Sequence, residues 1–168
     1  MRALPAAASA FLIAAALAPG AAAAQAAVPF GGLTIDPSAP VEISADTLEV
    51  DQETGEAVFT GAVTIGQDEM RLTADRVDVT YAEEAGRIAR LIATGDVTLV
   101  SGTDAAEGDE AVYDVEAGTV TMTGDVLLTQ GASAASADTM RVDLATGRAV
   151  LEGRVRTVLQ GGALSGGN

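Results

Sequence analysis

The chain has 168 residues, with 9 basic side chains against 24 acidic ones and a net charge of −15. The basic side chains are all arginine, because the chain contains no lysine, and it also lacks histidine and cysteine. This inventory excludes Ser-His-Asp triads, thiolate catalysis, imidazole metal sites, lysine Schiff bases and the Walker A lysine. The negative charge disfavours nucleic acids and anionic lipid surfaces as partners.

The first 24 residues predict a cleaved secretory signal peptide. Arg2 provides the positive start, an alanine-rich apolar run follows, and Pro19-Gly20 ends it. Ala22-Ala23-Ala24 fits a small-residue cleavage site before Gln25. The run is shorter than the roughly 20 apolar residues of a spanning helix, which argues against a retained membrane anchor. We expect export into an oxidising compartment, without a lipid anchor because the chain has no cysteine to carry one.

Two further segments differ in composition from the rest of the chain. Residues 25–40 contain Gly31-Gly32 and three prolines, and they predict a flexible lead-in. Residues 161–168, with the sequence GGALSGGN, predict a disordered tail. The folded domain is therefore expected over residues 41–160.

Residues 41–160 contain one unit repeated four times. An Ala-Asp or Gly-Asp step recurs at spacings of 29, 34 and 29 residues, and a Gly-x-Val step recurs at spacings of 34, 29 and 29. Each unit also carries a glycine between these two steps. Such a period indicates a stack of similar supersecondary units. The landmarks are Asp46, Asp75, Asp109 and Asp138, then Gly55, Gly86, Gly118 and Gly147, then Gly61, Gly95, Gly124 and Gly153.

Each unit reads as a β-hairpin. Apolar residues alternate with Thr, Asp, Glu and Arg at a period of two, which is typical of half-buried strands. The middle glycine of each unit fits a hairpin turn that needs a positive φ angle. The glycine of Gly-x-Val lies inside a strand pattern, which predicts a bend or bulge. The apolar positions shift by one residue near each aspartate, so the aspartates are expected at corners, bonding nearby backbone amides. Metal binding by these aspartates is the alternative.

One face of the predicted strands is apolar and aliphatic. Its seventeen positions are Leu48, Val50, Phe59, Val63, Ile65, Val77, Val79, Leu91, Val97, Leu99, Tyr113, Val120, Met122, Val126, Leu128, Met140 and Val142. Two interpretations fit such a face. It closes into a narrow, dry solenoid core, or it lines an open trough suited to acyl chains.

The phrase VEISADTLEVDQETGEAVFTGAVTIGQDEMRLTADRVDVTY, with the later phrases ATGDVTLV and MTGDVLLTQG, resembles the LptA/OstA family of periplasmic lipopolysaccharide-transport proteins. The resemblance runs from about Val41 to Gln160, and its motif is the repeated Ala-Asp … Gly-x-Val with a trailing Gln-Gly such as Gln130-Gly131. It implies an all-β, twisted, V-shaped jellyroll of antiparallel strands that holds lipid A acyl chains on the seventeen apolar positions, with no catalysis, no cofactor and no metal. It also implies a periplasmic location.

The resemblance further implies how such proteins assemble. The edge near Val41–Ala45 would meet an LptC-like inner-membrane subunit, and the edge near Arg154–Gln160 would meet an LptD-like outer-membrane subunit or another copy. Three other interpretations stay open at this point. They are an LptC-type subunit of the same pathway, a structural β-solenoid with a dry core, and an acidic polysaccharide-processing β-helix enzyme.

Overall fold

All secondary structure in the described residues is β-strand. The structure is a computed structural model that describes residues 26–30, 36, 39–82 and 86–159. The predicted all-β, antiparallel fold class is confirmed. The strands are β1 (Ala26–Pro29), β2 (Glu42–Ser44), β3 (Thr47–Asp51), β4 (Glu56–Gln67), β5 (Met70–Tyr81), β6 (Ile88–Ser101), β7 (Asp104–Asp114), β8 (Thr119–Gln130), β9 (Ser133–Asp143), β10 (Arg148–Glu152) and β11 (Arg156–Val158).

The strands form an antiparallel meander in which almost every strand pairs with its neighbours in sequence. The order is β1-β10-β9-β8-β7-β6-β5-β4-β2, with β3 also on β4 and β11 also on β9. Short turns join the long strands, and Gly118 takes a φ of 61° in the turn before β8, as the sequence predicts for a middle glycine. The short strands β2 and β11 each pair with the strand two positions away in sequence, and β1 pairs with β10 at the far edge.

A bulge interrupts each long strand that carries the Gly-x-Val step. In β4, Thr60 pairs with Arg76 and Val63 pairs with Ala74, so two residues of β4 oppose one residue of β5. Gly61 takes a φ of 84° in this bulge. Register shifts recur in the pairs β6–β7 and β8–β9, and the bend between β10 and β11 carries the fourth glycine. The predicted bulges are thus confirmed.

The bulges divide the meander into two arms. The first arm contains β1, β3, β10 and the segments 56–60, 76–81, 88–94, 110–114, 119–123 and 139–143. The second arm contains β2, β11 and the segments 63–67, 70–74, 97–101, 104–108, 126–130 and 133–137. Within the described residues, every strand pairing joins segments of the same arm. The ladders therefore hold each arm together without joining one arm to the other.

Each corner aspartate lies against the glycine of the next strand. A Cβ atom added to Gly61 would be 2.6 Å from Oδ2 of Asp46, and one added to Gly95 would be 2.6 Å from Oδ2 of Asp75. Asp109 and Asp138 approach Gly124 and Gly153 in the same way. Only glycine leaves room for this approach and also tolerates the positive φ. The aspartate of the Ala-Asp or Gly-Asp step and the glycine of the Gly-x-Val step therefore contact each other in every unit.

The apolar face points inward on both sides of each corner. In β5 the buried side chains are Met70, Leu72 and Ala74 before Asp75, then Val77 and Val79 after it. This one-residue shift of parity is the one that the sequence predicts. Without it, the second half of each such strand would turn its apolar residues to solvent. The buried residues of both arms join in one core cluster.

The lead-in differs from its prediction. Residues 26–29 form β1, and Phe30 has no accessible surface, so this part of segment 25–40 is ordered on the sheet. The Phe30 amide donates to the Gly147 carbonyl oxygen at 2.9 Å. A short strand that pairs with residues about 120 positions away leaves no local periodicity to read. The predicted signal peptide (1–24) and tail (161–168) lie outside the described residues.

We predict that Gly124→Ala destabilises the fold more than Gly118→Ala. Both glycines have a positive φ, so each alanine costs about 1 kcal/mol of backbone strain. A Cβ on Gly124 would also lie 2.6 Å from the Asp109 Cβ, whereas nothing lies within 4 Å of a Cβ on Gly118. Urea unfolding should show a loss of about 3 kcal/mol for Gly124→Ala. Equal losses for the two variants would contradict the close-contact role of the corner.

Candidate functional site

The candidate site is the apolar interior between the two arms. Fourteen of the seventeen predicted positions are buried there, and all fourteen are at most 3% exposed. They are Val63, Ile65, Val77, Val79, Leu91, Val97, Leu99, Tyr113, Val120, Met122, Val126, Leu128, Met140 and Val142. In the middle of the molecule, this interior is sealed from solvent by the side chains of the facing arms.

Three of the predicted positions are not sealed, and they mark an open end. Leu48 is 53% exposed and Val50 is 62% exposed, while Phe59 is partly buried. Leu48 pairs with Phe59, which pairs with Val77 on the next strand, so these side chains share the inward face. They are uncovered because β3 is an edge strand that pairs with β4 alone among the described residues. Tyr81, at the tip of β5, is also 38% exposed.

The opposite end is closed by Phe30. Phe30 is 0% exposed and belongs to the core cluster, and it follows β1 on the outer edge of β10. Residues 28 and 30 share a face of the sheet with Ala149, which is buried. The interior is thus open at the β3 end and plugged by an aromatic ring at the β10 end. An aromatic residue inside a Pro- and Gly-rich segment was the one sequence signal for this plug.

The tips of the two arms meet along a seam that sequence reasoning missed. The Tyr113 hydroxyl in the first arm donates to Oε1 of Gln67 in the second arm at 2.6 Å. The Gln67 side-chain amide donates in turn to the Ala39 carbonyl oxygen at 2.9 Å. Both side chains are buried, and burial raises the pKa of Tyr113 while its bond to Gln67 opposes this rise. This contact fastens one arm to the other.

A second polar contact lies further along the same seam. The Gln130 side-chain amide donates to the Pro29 carbonyl oxygen and to Oδ2 of Asp104, each at 2.6 Å. Gln67 is the last residue of β4 and Gln130 is the last residue of β8, both in the second arm. Period-two alternation shows which residues face inward and not which polar residues bond across the seam, so it gave no reason to place these two there.

A cavity of about 630 Å³ opens beside the first seam contact. First-arm tips provide most of its wall, and Gln67, Ala39 and Val41 provide the rest. Apolar atoms dominate the lining, and Arg87 and Glu116 are its charged members. The cavity provides space for an amphiphilic ligand at the boundary between the interior and solvent.

The corners carry four aspartates against the bulge glycines, and Asp96 and Asp125 directly follow two of these glycines. Arg154 takes the bulge position held by Ala62, Asp96 and Asp125 in the other units, and its Nε donates to Oδ1 of Asp138 at 2.7 Å. The Asp138 bond and charge raise the pKa of Arg154. No group of His, Cys, Asp or Glu within the described ranges could hold a metal ion. The corner aspartates instead lie against their glycines.

A family model for the LptA/(LptD N-terminal domain) LPS transport protein matches residues 42–148. The chain belongs to this family. No helix in the part of the chain that the structure describes is long and apolar enough to span a membrane.

Two known proteins are similar to the chain. LptH from Pseudomonas aeruginosa, described as the LptA-homologous periplasmic component of the lipopolysaccharide transport device, has the same fold with a TM-score of 0.66 at 19% identity. That match covers 75% of this chain and 99% of LptH. An uncharacterized protein of Rhizobium meliloti (strain 1021) is 28% identical over 98 residues. The match covers 54% of this chain and 53% of that protein, so the chain spans about half the length of this relative.

We predict that Tyr113→Phe destabilises the protein by about 1–2 kcal/mol, because it leaves the buried Gln67 carbonyl oxygen without its donor. Tyr81→Phe is the matched control, since it removes the hydroxyl of the more exposed of the two tyrosines. Urea unfolding of both variants measures the difference. If both variants kept wild-type stability, the seam bond would not hold the arms together.

Tyr113 also predicts how stability depends on pH. Its folded-state pKa is raised, so the folded protein keeps the phenol proton at a pH where the unfolded chain loses it. The stabilisation is complete below the unfolded pKa of about 10 and is lost as the pH rises through the folded pKa. The wild type should therefore lose stability above about pH 10 more steeply than Tyr113→Phe. Parallel pH profiles for the two proteins would refute this assignment.

Proposed function

We propose that the protein is a periplasmic carrier that binds lipopolysaccharide, shields its lipid A acyl chains in the apolar interior, and passes it between membranes without catalysis. The observation that carries this proposal is a continuous aliphatic interior that opens at one end through Leu48, Val50 and Phe59. The predicted signal peptide and the family membership support the periplasmic location. Family membership also supports lipopolysaccharide as the cargo.

The energetics of an acyl chain require a lining of this kind. Each methylene exposed to water costs about 0.8 kcal/mol, so ten exposed methylenes cost about 8 kcal/mol. One tight pocket would hold the chain, but it would also stop the chain from moving on. A row of Val, Leu, Ile and Met side chains offers nearly the same surface at each strand. Cargo can therefore shift from strand to strand with little change in free energy.

Cargo enters the sealed middle of the interior when the arms separate. Because the strand ladders run within each arm, this movement leaves their hydrogen bonds intact. It breaks side-chain packing and the seam bonds of Tyr113 and Gln130. The acyl chain then replaces the lost apolar contacts. The open end near Leu48 is where this separation starts, because the interior there is already exposed.

The sealed middle also favours one competing function. A structural β-solenoid would have a dry core, and Val120, Met122 and Val126 have no accessible surface. The exposed apolar end at Leu48 and Val50 argues against it, because a dry core gains nothing from uncovering its own lining.

The two sheet edges fit partners that add strands. The β3 edge lies at the open end and would receive cargo from an LptC-like inner-membrane subunit. The β10–β11 edge would deliver cargo to an LptD-like outer-membrane subunit or to another copy of the chain. Val158 and Leu159 are 68% and 75% exposed there, so this edge also presents apolar surface.

A photo-crosslinking residue placed at inward and outward positions tests the lipid-binding interior. We expect capture of lipopolysaccharide from Val50 at the open end and from Met122 in the middle. The matched controls are their neighbours Glu49 and Thr121, whose side chains point to the other face of the same strands. Labelling at Val50 and Met122 should exceed labelling at the controls at least about tenfold.

The same four variants separate the two functions. Equal labelling of inward and outward positions would show that lipopolysaccharide adheres to the surface, and it would rule out the carrier. Absence of labelling at all four positions would favour the dry solenoid. Urea unfolding of each variant shows whether the bulky residue at Met122 is accommodated, and Val50 tests the proposal without disturbing the sealed core.

A further inference from the structure

The outer edge of β10 already has a partner in the free protein. β1 pairs with β10 antiparallel, with Ala27 opposite Val150, Val28 opposite Ala149, and Pro29 opposite Arg148. β10 belongs to the edge at which the proposed function places the next copy or subunit. The chain's own first strand therefore occupies the surface that this partner needs.

The meander predicts how the first strand of a second copy would pair with this edge. In each of the pairs β4–β5, β6–β7 and β8–β9, the residue before the bulge glycine pairs with the residue after the corner aspartate. Applied to β10, whose Glu152 precedes Gly153, this rule pairs Glu152 with Thr47 of a second copy. The ladder then continues with Leu151 opposite Leu48 and Ala149 opposite Val50 of that copy.

β1 takes the same partners as this incoming strand. Ala26 lies opposite Leu151 and Val28 lies opposite Ala149, where Leu48 and Val50 of a second copy would lie. The incoming strand forms the better pairing, because its Asp51 would face Arg148, which faces Pro29 in the free protein. β1 thus occupies, with four residues, the place on β10 that the five-residue β3 of a second copy would take.

β1 also protects the edge that it covers. Phe30 donates to the Gly147 carbonyl, so residues 30 and 28 are at hydrogen-bonded positions and residues 29 and 27 face the outer edge. Pro29 has no N–H group to offer a further strand there. β1 therefore ends the sheet, whereas β3 leaves a regular edge exposed.

We propose that β1 and Phe30 form an intramolecular cap on the β10 edge, which the first strand of a second copy displaces when copies join head to tail. Displacement removes Phe30 from the end of the interior and brings Leu48 and Val50 of the second copy beside Leu151 and Ala149. One step thus opens the plugged end and extends the lining. The inference rests on head-to-tail joining in the proposed function, and it adds the control of that joining.

A disulfide between β1 and β10 tests the cap. Residues 27 and 150 form a non-hydrogen-bonded pair, whose Cα atoms lie about 4.5 Å apart, within the range a disulfide spans. Ala27 is exposed and Val150 is half-buried, so Ala27→Cys/Val150→Cys leaves the apolar core in place. The natural chain has no cysteine, so this disulfide is the only one that the variant can form within one chain, and non-reducing electrophoresis identifies any disulfide between copies.

The oxidised and reduced forms of the same variant are compared by sedimentation velocity, with the wild type under both conditions as the redox control. We expect the oxidised form to remain monomeric and the reduced form to associate at least about tenfold more tightly. Equal or stronger association of the oxidised form, including the case in which neither form associates, would overturn the cap.

Lipopolysaccharide binding, measured on the same samples, separates this inference from the proposed function. Binding by both forms with association only after reduction supports both proposals. Association that depends on reduction without any lipopolysaccharide binding would reject the carrier and retain the cap. Binding with equal association would reject the cap and retain the carrier.

Discussion

The architecture depends on the close approach of an aspartate to a glycine at each corner. Asp46, Asp75, Asp109 and Asp138 each lie against the bulge glycine of the following strand, at a distance that leaves no room for a Cβ atom. At each bulge, two residues of the glycine-bearing strand oppose the single aspartate of its neighbour. In the aspartate-bearing strand, the inward-facing positions therefore shift by one residue at the corner. This shift keeps the apolar side chains inward in both arms. Without it, a meander of this composition would be a flat sheet with no interior.

The corner also determines how the interior is held. Backbone hydrogen bonds between strands stabilise each arm along its length, whereas the arms are joined by the long strands that run through both and by side-chain contacts such as that of Tyr113 with Gln67. Apolar packing is non-directional, so the facing surfaces can part around a ligand and close again. The seam bonds of Gln67 and Gln130 give the closed state a defined geometry. A rigid frame and a separable interior therefore arise from the same strand arrangement.

Local sequence patterns were sufficient for most of this architecture. The period-two alternation located the inward face, because it depends on neighbouring residues in one strand. The paired landmarks Asp–Gly located the corners, because they recur at a regular spacing on consecutive strands. The exposure of Leu48 and Val50 was not predictable in the same way, since alternation shows which face a residue takes and not whether another arm covers it. The pairing of β1 with β10 and the contact of Tyr113 with Gln67 join residues that are distant in the chain. Contacts between residues distant in the chain produce no repeating pattern in the local sequence, so periodicity cannot predict them.

The two ends of the molecule differ for a reason that follows from repetition. A meander of alternating corner strands and bulge strands ends on a corner strand at β2–β3 and on a bulge strand at β10–β11, so its two edges are complementary rather than alike. Complementary edges allow the β10–β11 edge of one copy to pair with the β2–β3 edge of the next. Such head-to-tail contacts do not close on themselves, so copies would add into open filaments unless one edge is protected. The exposed lining at β3 and the covered edge at β10 fit this requirement, because protection of a single edge is enough to control every junction. In the first arm, the apolar lining is then exposed at the β3 end, where cargo enters, and covered at the β10 end.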